Sequence, residues 1–143
     1  MNNYKFPILG NELIYKIEFM IKKIPKQSKE IEIGNREYKI NLDYSDNKKS
    51  LILKILSKKA TQMNYRLYEG GGKAVYFLGI EDNGYTKGIS LNKMISSLYF
   101  FNKIVNMSDA NFNKIRIYNG ENGFVATIRV NKICKQYNTL LEF

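Results

Sequence analysis

The chain has 143 residues, 44% of them apolar, and 23 Lys and Arg against 13 Asp and Glu give a formal net charge of +10. That size and apolar content fit one folded domain with its own core and argue against global disorder. With no histidine and one cysteine, Cys134, imidazole-based nucleophile systems, histidine-ligated zinc and an internal disulfide framework are excluded.

Residues 1–33 read as an N-terminal arm. Pro7 and Gly10 break the first stretch. Asn11 is placed to cap an amphipathic helix over 12–24, in which Leu13, Ile14, Ile17, Met20, Ile21 and Ile24 form one apolar stripe at spacings of three and four. Pro25 stops it. The stripe either docks on the domain's own core or waits for a partner.

The core domain is expected over 34–132. Residues 36–42 alternate, with Tyr38, Ile40 and Leu42 on one side, as a half-buried strand does. Lys49–Glu69 follows as a helix whose core stripe is Ile52, Leu56, Ala60, Met63 and Leu67. Gly70, Gly71 and Gly72 end it. Gly70 fits the left-handed cap position, and the triplet reads as a cap and turn in preference to a phosphate cradle. Residues 74–82 form a central strand, apolar on both faces. The residues of a tight turn, Asp82-Asn83-Gly84, lead into a shorter strand over 85–90. Ser90 caps a second helix, Leu91–Met107, whose stripe includes Met94, Leu98, Phe101 and Val105. Phe100 and Ile104 point away from that stripe; they either cover the arm or form an exposed partner-binding site. Strands at 114–118 and 124–130 follow, then a tail over 133–143.

The order β-α-β-β-α-β-β predicts an α+β fold: a mainly antiparallel sheet with two helices on one face, preceded by the amphipathic helix.

No run approaches the roughly 18 apolar residues of a membrane span, and Lys5, Pro7, Lys16 and Glu18 interrupt any signal-peptide layout. A cytoplasmic protein with a reduced thiol and no membrane contact is expected. No Walker A sequence is present. Glu81 and Asp82 are adjacent on a strand and point to opposite faces, so no metal site is expected from them. No catalytic residue, cofactor or small-molecule substrate is expected.

A surface this basic attracts polyanions; a genome rich in A/T codons raises lysine as well. On the first helix Lys54, Lys58, Thr61 and Tyr65 oppose the core stripe, flanked by Lys59 and Arg66. Basic side chains around a tyrosine suit a phosphate backbone, although such a face is also commonly just solvated. The charge-based RNA-binding candidates are Lys54, Lys58, Lys59, Tyr65, Arg66 and Lys73, with Lys22 and Lys23 on the arm.

The run Thr61-Gln62-Met63-x-Tyr65-Arg66-Leu67-x-Glu69-Gly70-Gly71-Gly72-x-Ala74-Val75-Tyr76, then Gly79-Ile80-Glu81-Asp82-Asn83-Gly84, resembles the N-terminal domain of the GTP-binding protein 1 and 2 family of elongation-factor-like GTPases. The likeness reaches back through Gly34-Asn35-x-Glu37-Tyr38-Lys39-Ile40 and covers roughly 25–132. The resemblance implies an accessory domain standing free of its GTPase, similar to the microsporidian dormancy factors found on inactive ribosomes. It implies a non-enzymatic hibernation factor, monomeric when free. Such a factor binds rRNA and ribosomal proteins at the exit (E) site of the small ribosomal subunit and excludes E-site tRNA. Two other classes remain open. One is a Schlafen-like RNA-cleaving enzyme, on a looser likeness over Gly71 to Gly88. The other is a protein-interaction module without RNA binding.

Overall fold

The computed structural model describes residues 10–133; Cys134, the rest of the tail and residues 1–9 lie outside the described residues. The chain forms α1 (Asn11–Lys16), β1 (Ile17–Lys23), β2 (Arg36–Lys39), α2 (Lys49–Glu69), β3 (Lys73–Leu78), α3 (Leu91–Met107), β4 (Ala110–Asn119) and β5 (Phe124–Lys132). The sheet runs β1-β4-β5-β3-β2. β5 is antiparallel to both β3 and β4, while the outer pairs β1–β4 and β2–β3 are parallel. The fold is therefore α+β, and its sheet is mixed where a mainly antiparallel one was expected. The parallel pairing of β2 with β3 follows from their connection: α2 returns the chain to the same end of the sheet.

Both long helices lie on one face. Leu56, Ala60, Met63 and Leu67 of α2 and Met94, Leu98, Phe101 and Val105 of α3 share one buried cluster with Tyr76, Leu78, Ile115, Ile117, Ile128 and Val130 of the sheet. These strand residues alternate along β3, β4 and β5, so the pleat sends one apolar set to the helices. Ser90 caps α3 as expected, whereas the left-handed cap after α2 falls one residue later than the expected Gly70. The Ser90 side chain accepts from the Lys93 N–H. Past α2 the left-handed residue is Gly71 (φ +64°), with Gly70 still at φ −98°, and the Gly72 N–H closes the turn on the Leu67 carbonyl at 2.7 Å.

Three of the expected elements change. The helix over 12–24 is one short turn, α1, followed by a strand. Ile17 and Ile21, four apart, satisfy a period of two as well as the helical one, while Phe19 fits only the period of two, and the free edge of β4 decides for the strand: Ile17 and Phe19 register with Ile115 and Ile117. The predicted stripe is consequently not a buried face, since Ile14 and Ile21 are exposed. The first core strand ends at Lys39. A bend at Ile40 sends Tyr38 to the helix-free face and Leu42 into the main core. The expected return strand over 85–90 is a loop, joined to β5 by a single β-bridge between Ile89 and Phe124 among the described residues. That loop packs on the β4–β5 turn so closely that a Cβ at Gly88 would lie 2.5 Å from the Gly123 carbonyl carbon.

Phe100 and Ile104 are buried, at 5% and 1% exposure, and so offer no partner-binding site. Phe100 meets the rings of Tyr44 and Tyr99 edge-on, and Leu13 of α1 joins the same cluster. The segment around Leu42 and Tyr44, held by the bond from the Leu42 N–H to the Ser97 hydroxyl, covers the side of α3 that periodicity alone leaves open.

Phe101 is the most central aromatic, wholly buried with its ring between those of Tyr76 and Phe112 at 5.4 and 5.5 Å. Phe101→Ala should cost about 3–5 kcal/mol. In urea unfolding the midpoint should fall with the slope unchanged; an unchanged midpoint would refute this placement of the core.

Candidate nucleic-acid interface

The other face of the sheet carries no helix, and it divides into two halves. One half is apolar: Tyr38, Phe77, Ile80 and Val125 form a small second cluster with Ile24. The connector between β1 and β2 covers this half. The Tyr38 hydroxyl donates to the Ser28 carbonyl at 2.8 Å, and the Glu30 N–H donates to the Asp82 carbonyl at 2.8 Å. The Glu30 carboxylate accepts from the Tyr38 N–H, yet burial outweighs that bond and pushes its pKa up.

The other half is open and basic. Register places Arg36, Val75 and Arg129 in one row across β2, β3 and β5, with Lys73 opposite Asn131 one step along. Arg129 lies beside the irregular stretch of β4 between Phe112 and Ile115, which supplies Asn113 and Lys114. Lys73, Val75, Asn113, Lys114, Arg129 and Asn131 line a shallow groove of about 460 Å³, and Arg36 stands beside it in the same row. Arg116 sits on the same face, paired with Glu18 at 3.3 Å. Among the described residues, Lys73, Lys114 and Arg129 have no carboxylate within ion-pair distance. Arg36 donates to the Gln27 side chain, and its guanidinium lies 4.5 Å from the centre of the Phe77 ring. Among the described residues, this half thus presents five cations and one carboxylate, Glu18, which is paired with Arg116.

The residues nominated from sequence do not form one site. Lys54 and Lys58 are exposed on the outer side of α2, with Tyr65 43% exposed further along. Lys73 belongs to the opposite side of the molecule, on the open sheet face. Lys22 and Lys23 lie on the edge strand β1, and Lys23 is paired with Glu121 at 2.8 Å. Lys59 is half-buried beside Lys39, and burial with that like charge pushes its pKa down.

Arg66 is not an RNA ligand. It is 5% exposed. Its Nε donates to Glu37 at 2.7 Å, and its terminal nitrogens donate to the carbonyls of Ile31, Glu32 and Gly34. Glu30 approaches at 3.8 Å. The guanidinium fork is filled by the connector and by β2, so Arg66 fastens both to α2.

Sequence reasoning missed Arg36, Lys114, Arg116 and Arg129. The outward alternation of Arg116 and Arg129 was legible, but nothing local says that the strands carrying them are neighbours of β3. Among the described residues, no group of three or more His, Cys, Asp or Glu side chains is placed to hold a metal ion. Glu69 accepts from the Gly34 N–H at 3.1 Å. No helix among the described residues is long and apolar enough to cross a membrane.

Fold and surface thus define a small α+β domain with helices on one side of a mixed sheet and a basic groove on the other. Over 87 residues, 61% of the chain, its sequence is 34% identical to GTP-binding protein 2 of Mus musculus, and equally to GTP-binding protein 2 of Homo sapiens. The matched stretch is 14% of the length of each of these relatives. No protein-family profile matches the chain, and no solved structure matches it.

Arg66→Ala leaves Glu37, itself 3% exposed, without its main counter-charge. It should cost about 3–5 kcal/mol of stability, whereas Lys58→Ala on the exposed helix face should stay within about 0.5 kcal/mol. Equal midpoints for the two variants in urea titration would contradict the assignment of Arg66 to structure.

Proposed function

We propose that this chain is a non-enzymatic, ribosome-associated dormancy factor of the microsporidian kind. It binds the small subunit at the E site in the cytoplasm and acts by occupancy, excluding E-site tRNA. The observation that carries the RNA half of this reading is the open sheet face, where Arg36, Lys73, Lys114 and Arg129 stand beside Arg116 with Glu18 as the one carboxylate among the described residues. The net charge of +10 supports it, because rRNA offers a dense array of phosphates. The placement on the ribosome rests on the likeness to a stretch of GTP-binding protein 2 and on the kinship of that family with the elongation factors. With Phe100 and Ile104 buried, apolar contact with a ribosomal protein falls to the exposed Phe19 and Ile21 of β1.

Those same two residues favour a second reading. Phe19 is 61% exposed and Ile21 fully so, both on an outer strand of the sheet. A protein-interaction module would use such an edge by adding a partner's strand to it. Partner binding would then be independent of salt and of the basic face.

Sedimentation with purified small subunits separates the two. The chain should travel with the subunits at low salt. For about five engaged phosphates its affinity should fall by roughly several hundredfold over a fourfold rise in salt. Added deacylated tRNA should displace it. Absence from the subunit fractions at low salt would sink the ribosomal reading, and salt-independent binding would favour the strand-addition module.

A further inference from the structure

We infer that the open sheet face takes the phosphate backbone of paired RNA and does not read or stack unpaired bases. This rests on the RNA-binding reading above and specifies the form of RNA.

Two observations lead to it. The first concerns aromatics. Sheets that bind single-stranded RNA do so by stacking bases on exposed aromatic side chains. Here the rings on the helix-free face are already engaged. Tyr38 and Phe77 are 2% and 6% exposed in the second cluster, and Tyr118 packs against that cluster. The guanidinium of Arg36 lies over Phe77 itself. Val75 and Thr127, between the cations, offer no ring. Among the described residues, the open half therefore has charge without a stacking platform.

The second concerns layout. From β2 to β4 the cations cross three strand spacings, roughly 14 Å. They also extend along the strands, from Arg116 to Lys73. The charges form a two-dimensional patch around a groove, not a single line. Such a patch meets phosphates arranged on a broad helical surface better than those of one extended strand. The neutral side chains interleaved with the cations, Asn35, Asn113, Thr127 and Asn131, supply donors and acceptors for phosphate oxygens and 2′-hydroxyls. Recognition of this kind depends on shape and charge and is indifferent to base sequence.

The test is fluorescence anisotropy of the whole chain with a 20-base-pair RNA duplex and with a single-stranded U-rich RNA of the same length. The duplex should bind at least tenfold more tightly, and duplexes of unrelated sequence should bind alike. Arg129→Glu and Lys114→Glu, both at exposed positions, should each weaken duplex binding tenfold or more and lower the salt slope by about one or more. Lys49→Glu, at the far end of α2, should leave binding unchanged, and circular dichroism should show all three variants folded. Single-stranded RNA binding as tightly as the duplex would overturn this inference and leave the RNA-binding reading standing. Equal weakening by Lys49→Glu would likewise overturn the assignment to this face. Failure to bind either RNA would overturn both.

Discussion

The guanidinium of Arg66 is the fastening on which this architecture turns. An arginine at 5% exposure is costly to desolvate unless its donors are filled, and here they are: by the Glu37 carboxylate and by three backbone carbonyls of the connector. The second oxygen of Glu37 faces Lys39 at 3.1 Å. One ion cluster thereby ties α2, β2 and the connector together. Its consequence lies on the other side of the sheet. With residues 30–34 anchored, the upstream part of the connector lies over Tyr38 and Phe77 and covers the apolar half of the helix-free face. The basic half is left open. The same fastening that completes the fold therefore sets the boundary of the candidate binding surface.

Much of the helical layer was legible in the sequence. The apolar spacing within Lys49–Glu69 and Leu91–Met107 survives in the buried residues of α2 and α3, and the glycine triplet and Ser90 mark ends that the structure keeps. Periodicity failed where two periods coincide. Ile17 and Ile21 read equally as helix or strand, and pairing with β4, almost a hundred residues later, settles it. It failed again at Phe100 and Ile104, whose cover comes from Leu42, Tyr44 and Leu13. Such cover is non-local and leaves no trace within the helix's own pattern.

The candidate site was less legible than the fold for the same reason. Arg36, Lys73, Lys114 and Arg129 are scattered along the chain and become neighbours only through the strand order β4-β5-β3-β2. A basic helix face can be read from spacing along one segment; a basic sheet face cannot. Charge alone therefore pointed to α2, and among the residues it named it included Arg66, which the fold keeps for itself.

The central claim is that this chain meets RNA through the open sheet face and not through the outer side of α2. Lysine acetylation, mapped by mass spectrometry on the chain free and bound to small subunits, tests it most directly. The account predicts that Lys73 and Lys114 become protected on binding while Lys54 and Lys58 stay reactive. Protection of Lys54 and Lys58 with Lys73 and Lys114 still reactive would contradict it.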